Sequence, residues 1–155
     1  MSSSAGIIII GDEILTGRTK DTNINWIANE LNEMGINLKE ARVIEDNKET
    51  IINTVLEFSK KFTYVFTSGG IGPTHDDITT ESIAAAFKVD LEKNKIAMNL
   101  LKKHYEKSNI DFNEARQKMA IIPKGALLID NPVSVAPGFN IKNVYVFAGI
   151  PKIMQ

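Results

Sequence analysis

Residues 5–10 read AGIIII, an unbroken apolar run that ends in four isoleucines and is closed by Gly11. A strand with one wet face alternates apolar and polar side chains, so a run without polar members belongs to a strand covered on both faces. That feature makes it the first strand of a covered sheet. The next residues supply the helices. From Asn23 onward, Ile24, Ile27, Ala28, Leu31 and Met34 recur at helical spacing, with Asp21 or Thr22 as N-cap and Gly35 as the stop. Residues 36–44 alternate apolar and polar side chains, and EDNKETIINTVLEFSKKF puts Ile51, Ile52, Val55, Leu56 and Phe62 on one face of a second helix. TYVFT supplies a third strand, so the first 90 residues alternate β and α and predict parallel strands joined by right-handed crossovers.

The second half is less regular. Residues 91–108 predict a longer helix with Ala97, Leu100, Leu101, His104 and Tyr105 along one stripe, and DFNEARQKM a shorter one capped by Asp111 or Asn113. KGALLIDNPVSVAPGF is punctuated by Gly125, Asn131-Pro132 and Pro137-Gly138, as a hairpin or meander would be, and NVYVFAG reads as a last buried strand. The closing IPKIMQ begins like a helix with too few residues to complete it. Residues 1–155 therefore read as a single domain that stops short of its natural C-terminus, which the mass of the full gene product would check.

Composition narrows the functional classes. With 155 residues and 43% hydrophobic content, one domain can bury a substantial core unaided. Eighteen basic against 19 acidic residues, without a basic cluster, give no electrostatic footprint for nucleic acid or an anionic membrane. The absence of cysteine removes disulfides, thiolate zinc sites and cysteine nucleophiles. MSSSAGIIII has no basic n-region and too short an apolar core for a signal peptide, and no run approaches the roughly 20 apolar residues that span a bilayer. A soluble, cytoplasmic protein is the expectation.

The chemistry is concentrated where strands end. In open parallel sheets ligands collect at the carboxyl ends of the strands, and the residues there are Gly11, Asp12 and Glu13 after the first strand, Glu45 and Asp46 after the second, and TSGGIGPTHDDITT after the third. In that last stretch Gly69, Gly70 and Gly72 permit positive φ and close backbone approach, so successive amides can converge on an anion. A helix starting near Thr79 adds its N-terminal partial charge. Asp76 and Asp77 oppose an anion on their own, but carboxylates beside a phosphate are the usual way to hold Mg²⁺. Glycines and aspartates together point to a phosphate with its metal.

Each of these residues also has a structural reading. Gly-rich βα turns form for conformational reasons, Asp77 or Thr79 can cap the following helix, and Glu81 in its first turn suits the dipole. Asp46 precedes a helix and can cap it, whereas Asp12 and Glu13 have no evident cap role. The loop is neither GxxxxGK[ST] nor GxGxxG, which excludes a P-loop or Rossmann assignment. His75 has no partners at fixed spacing and His104 lies on a helix stripe, so neither is assigned catalysis, and Ser68 has no base at fixed spacing to make it a nucleophile.

Taken in order, GDEILTG, DTN, VIEDN, TSGGIGPTHDDITTE, APGF and VFAGIPKIM resemble the molybdopterin-binding domain shared by molybdenum-cofactor biosynthesis proteins and the competence-damage protein CinA. The resemblance covers nearly the whole chain. GDEILTG, GPTHDD and the helical insertion at 91–118 are most similar to CinA-like proteins and to the molybdopterin-binding-like domain of eukaryotic FAD synthases. It implies a three-layer α/β/α fold with a mostly parallel sheet. It also implies a ligand site built from Thr67, Ser68, Gly69, Gly70, Gly72, Pro73, Thr74, Asp76, Asp77 and Thr79, with Gly11, Asp12, Glu13, Gly149 and Pro151 on neighbouring loops.

Function within the family diverges more than fold. Some members bind or adenylylate molybdopterin, and the matching acidic positions, Asp46 and Asp77, would be both the catalytic pair and the ligands of Mg²⁺ or another divalent metal. CinA-like and FAD-synthase-like relatives are associated instead with hydrolysis of nucleotide pyrophosphates such as ADP-ribose or FAD. The resemblance thus implies a molybdopterin or nucleotide phosphate as ligand, with metal-dependent phosphoanhydride chemistry, adenylyl transfer or binding alone as the alternatives. It also implies a homo-oligomer, dimer or trimer. These 155 residues contain neither an amidohydrolase nor an adenylyltransferase domain, so deamidation and FAD synthesis are not implied.

Overall fold

The computed structural model describes residues 3–72, 75, 77–129 and 137–147. The elements run β1 (Ser4–Ile10), α1 (Asp12–Leu15), α2 (Asn23–Glu33), β2 (Asn37–Ile44), α3 (Lys48–Lys61), β3 (Tyr64–Ser68), α4 (Thr79–Ala86), β4 (Leu91–Lys93), α5 (Lys95–Lys107), α6 (Glu114–Gln117), a 3₁₀ turn (Lys118–Ala120), β5 (Ile121–Pro123), β6 (Leu127–Ile129), β7 (Gly138–Ile141) and β8 (Val144–Phe147). Six strands form one sheet in the order β2-β1-β3-β8-β7-β6. β1, β2, β3 and β8 are parallel, and β7 is antiparallel to both β8 and β6.

The isoleucine run behaves as its composition requires. Ile8 and Ile10 join the core beneath α3 and α4 with Ile51, Val55, Phe58 and Ile83, while Ala5, Ile7 and Ile9 pack on the opposite face against Ile27 and Leu31 of α2. Right-handed crossovers explain the division: β1 to β2 moves one way across the sheet and β2 to β3 the other, so their helices must cover opposite faces. Gly6 allows the closest approach of layers, since a Cβ there would stand 2.6 Å from the Phe62 ring and 2.7 Å from the Phe58 ring.

The same reversal creates a topological switch point between β1 and β3. At such a point the two connections leave in opposite directions, and a crevice opens beyond the strands' carboxyl ends. Gly11 and Asp12 leave β1 on one side of it, and Gly69 leaves β3 on the other.

One local expectation differs. The helix expected over 91–108 starts at Lys95, because Asn94 caps it by accepting from Ala97 N at 2.9 Å, and Leu91–Lys93 instead pairs antiparallel with β5. At α2, Thr22 sits at the N-cap without a side-chain cap bond, and Asp21 accepts from Asn23 N and Ile24 N. The hairpin expected in 124–139 is present as β6 and β7, with residues 130–136 outside the described residues. Asn113 rather than Asp111 caps α6, accepting from Arg116 N at 3.0 Å. Among the described residues no helix is long and apolar enough to cross a membrane.

Candidate functional site

The end of β1 and the end of β2 are tied by their acids. Asp46 Oδ2 accepts from Asp12 N at 3.0 Å, and Asp12 Oδ1 accepts from Asp46 N at 3.1 Å. Asp46 is therefore not the cap of α3. That role belongs to Asn47, which accepts from Thr50 N at 3.0 Å. The Asp46 carboxyl is held above its ordinary value, chiefly by burial, against the lowering effect of the Asp12 amide; the charges of Asp12, Glu13 and Asp77 raise it further. All three acidic loops thus act on one carboxyl.

The glycine loop is fixed by α4 rather than left open. Thr79 Oγ1 donates to Gly69 O at 2.9 Å and Thr79 N to Gly70 O at 3.1 Å, so the expected ligand residue Thr79 is fully buried and holds the loop from below. Gly69 and Gly70 take φ of 103° and 70°. A Cβ on Gly69 would overlap Ile10 O, and one on Gly70 would overlap Thr79 Oγ1. Only glycine meets both demands. Gly69 N–H is committed to Phe147 O at 3.2 Å, which removes it from the row of anion-facing amides expected here. Gly72 passes close under Asp77, where a Cβ would lie 2.6 Å from Oδ2.

On the α4 side of this loop lies a cleft of about 210 Å³. Its floor is apolar, from Ile71, Met119, Ile121, Ile122, Pro137 and Phe139, and Asp77, Glu81 and Lys118 bring charge to it. Lys118 Nζ donates to Asp77 O at 2.8 Å, joining the loop to the turn before β5. The volume suits one ring system and is below the roughly 300–1,000 Å³ of pockets that enclose a whole drug-sized ligand.

Of the remaining expected residues, Gly11 donates its N–H to Ile44 O at 3.0 Å, with the Glu13 carboxylate folded over it. Thr67 and Ser68 are buried at the end of β3. Pro73, Thr74, Asp76, Gly149 and Pro151 lie outside the described residues. Among the described residues, two buried side-chain atoms beside the loop have no hydrogen-bond partner: Thr67 Oγ1 and Asn23 Oδ1. An unmatched buried polar group costs about 1–3 kcal/mol, and such groups cluster where a ligand completes them.

Sequence reasoning missed Asn23 and Lys118. The signal for Asn23 was available, because it shares the buried stripe of α2 with Ile27 and Leu31, an unusual place for a carboxamide. Among the described residues no three His, Cys, Asp or Glu side chains are gathered closely enough to hold a metal ion unaided.

Comparison with known proteins bears on what this edge is for. A model of the probable molybdopterin binding domain matches residues 6–155. The chain belongs to that molybdopterin-binding domain family. A protein from Sulfurisphaera tokodaii is 41% identical over 97% of this chain and 59% of its own length, and one from Saccharolobus islandicus is 37% identical over the same shares. The domain thus spans about three fifths of the length of the curated relatives it matches. Among solved structures, a CinA protein of unknown function from Thermoplasma acidophilum superposes with a TM-score of 0.90 at 36% identity, covering 99% of this chain and 92% of that one. The tungsten cofactor synthesizing protein MoaB from Pyrococcus furiosus superposes with a TM-score of 0.61 at 21% identity, over 99% and 86%, and shares the fold.

Proposed function

We propose that this molybdopterin-binding-family domain, of the CinA type, binds the phosphates of a molybdopterin or nucleotide at the β1–β3 crevice and supports metal-dependent cleavage of a phosphoanhydride. The observation that carries the reading is the Asp12–Asp46 pair, whose reciprocal bonds set two carboxylates beside the glycine loop within the field of Glu13 and Asp77. Asp12, Glu13 and Asp77 raise the cost of charging Asp46, an arrangement that a cation relieves.

The donor set fits a hard divalent ion such as Mg²⁺, Mn²⁺ or Co²⁺. Such an ion needs only one or two protein carboxylates when phosphate oxygens and water complete its shell, and Asp46 and Asp77 would supply them. When bound, the metal neutralises charge on the phosphoanhydride. The chain's own residues do the rest. Gly70 and Gly72 let the backbone approach a phosphate, and Thr79 fixes the loop so that no reorganisation is needed on binding. The apolar cleft beside Asp77 takes the ligand's ring. Asp12 and Glu13 orient a water whose oxygen adds to phosphorus as the bridging P–O bond breaks. Two phosphate monoesters result, and the water's proton passes to a carboxylate or to solvent.

A binding module without chemistry is the second reading, in which the glycine loop holds a phosphate and the reciprocal Asp12–Asp46 bonds serve to tie the end of β1 to the end of β2. Incubation with ADP-ribose, FAD and ATP plus Mg²⁺, Mn²⁺ or Co²⁺, followed by product chromatography, separates the two. Consumption of a substrate that Asp77→Asn abolishes supports catalysis, whereas calorimetric binding without turnover supports the module.

A further inference from the structure

On the α2 side of the glycine loop is a second, much smaller pocket of about 40 Å³, room for one hydroxyl or one water. Asn23, Ser68 and Gly69 line it. Asn23 is 3% exposed; its Nδ2 donates to Ser68 Oγ at 2.7 Å, and its Oδ1 is buried without a partner. Ser68, having accepted that bond, keeps its own proton to donate. The pair therefore offers one acceptor and one donor side by side. Turning the carboxamide over would exchange which residue does which and leave the pair equally complementary.

This pattern selects among ligand groups. A phosphate oxygen only accepts, which leaves the acceptor of the pair unmatched, and the wall carries two acids, Glu13 and Asp21, against the single cation Lys20. Asp21 already occupies the amides at the start of α2, accepting from Asn23 N at 3.2 Å and Ile24 N at 3.1 Å. An amino group on a pterin or base only donates, which leaves the second member of the pair unmatched, and the lactam edge of a pterin, which both donates and accepts, carries a fused ring that a pocket of about 40 Å³ does not admit. A hydroxyl both donates and accepts.

We propose that the Asn23–Ser68 pair recognises a sugar hydroxyl of the ligand whose phosphate lies against the glycine loop, which assigns the ligand to the ribose-bearing nucleotides rather than to pterins. The inference rests on the phosphate-binding reading above. Gly69 belongs to both the loop and the pocket wall, so the hydroxyl and phosphate positions adjoin.

Titration calorimetry at fixed divalent-ion concentration tests it with ADP-ribose, analogues each lacking one ribose hydroxyl, and inorganic pyrophosphate. The wild type binds at least one deoxy analogue about tenfold more weakly than ADP-ribose, the effect of one matched hydrogen bond. Asn23→Leu binds ADP-ribose with the same loss and no longer distinguishes that analogue. Equal affinity of the wild type for every analogue, with pyrophosphate still binding, overturns the hydroxyl assignment and leaves the phosphate reading standing. Failure of the wild type to bind any of these ligands overturns both. If Asn23→Leu changes thermal stability but keeps the discrimination, the pocket holds a structural water and the inference fails. Should that variant not fold, the analogue series on the wild type decides alone.

Discussion

Asp46 is the residue on which the site's electrostatics converge. Its carboxyl is raised above the ordinary aspartate value of 3.8 by burial and by neighbouring acids. A raised folded-state value means that the folded domain holds the proton more tightly than the unfolded chain does. The contribution to stability is therefore full below the unfolded value and is lost as pH rises through the folded one. Carboxyl NMR of the metal-free domain should show Asp46 titrating above 3.8, and Asp46→Asn should make the metal-free domain more stable at neutral pH while abolishing any metal-dependent turnover. Gly70→Ala should cost about 2 kcal/mol in denaturant unfolding, because φ is positive there and Thr79 fills the space. At this scale the sequence disclosed residue types better than roles. The aspartates and glycines were legible as neighbours at one sheet edge, but Thr79 as the loop's anchor and Gly69 N–H as a sheet donor depend on contacts 10 and 78 positions away in the chain.

At the scale of elements, the fold rests on how the helices seat on β1. Phe58 and Phe62 meet edge to face at 5.2 Å over Gly6, with Phe58 fully buried. Phe58→Ala should destabilise the domain by about 3–5 kcal/mol by chemical denaturation. The α5 region is a smaller unit, with Ala97, Leu101 and Ala120 at its centre. Asn94→Ala, which removes the cap of α5, should cost about 1 kcal/mol. The first 90 residues were readable because period 2 and period 3.6 alternate cleanly there. Leu91–Lys93 was misread as helix because three residues carry no period of their own, and their pairing with β5 is settled by tertiary contact.

For the whole molecule, strand order decides where chemistry sits. The chain leaves β1 for β2, returns across it to β3, and so brings Asp12, Asp46 and the glycine loop to one crevice. Alternation of β and α predicted a covered parallel sheet, and membership of the molybdopterin-binding domain family agrees with it. The apolar cleft beside Asp77 was not legible, since its floor combines Ile71 with residues from 119 to 139 that meet only in the folded chain. In the proposed site, carboxylates and glycine loop act together on one phosphorylated ligand. Its most direct test is calorimetry of ADP-ribose binding with and without Mn²⁺, for the wild type and for Asp46→Asn and Asp77→Asn. Binding should strengthen with the ion in the wild type and lose that strengthening in both variants; binding that ignores the ion, with both variants indistinguishable from the wild type, would contradict the proposed site.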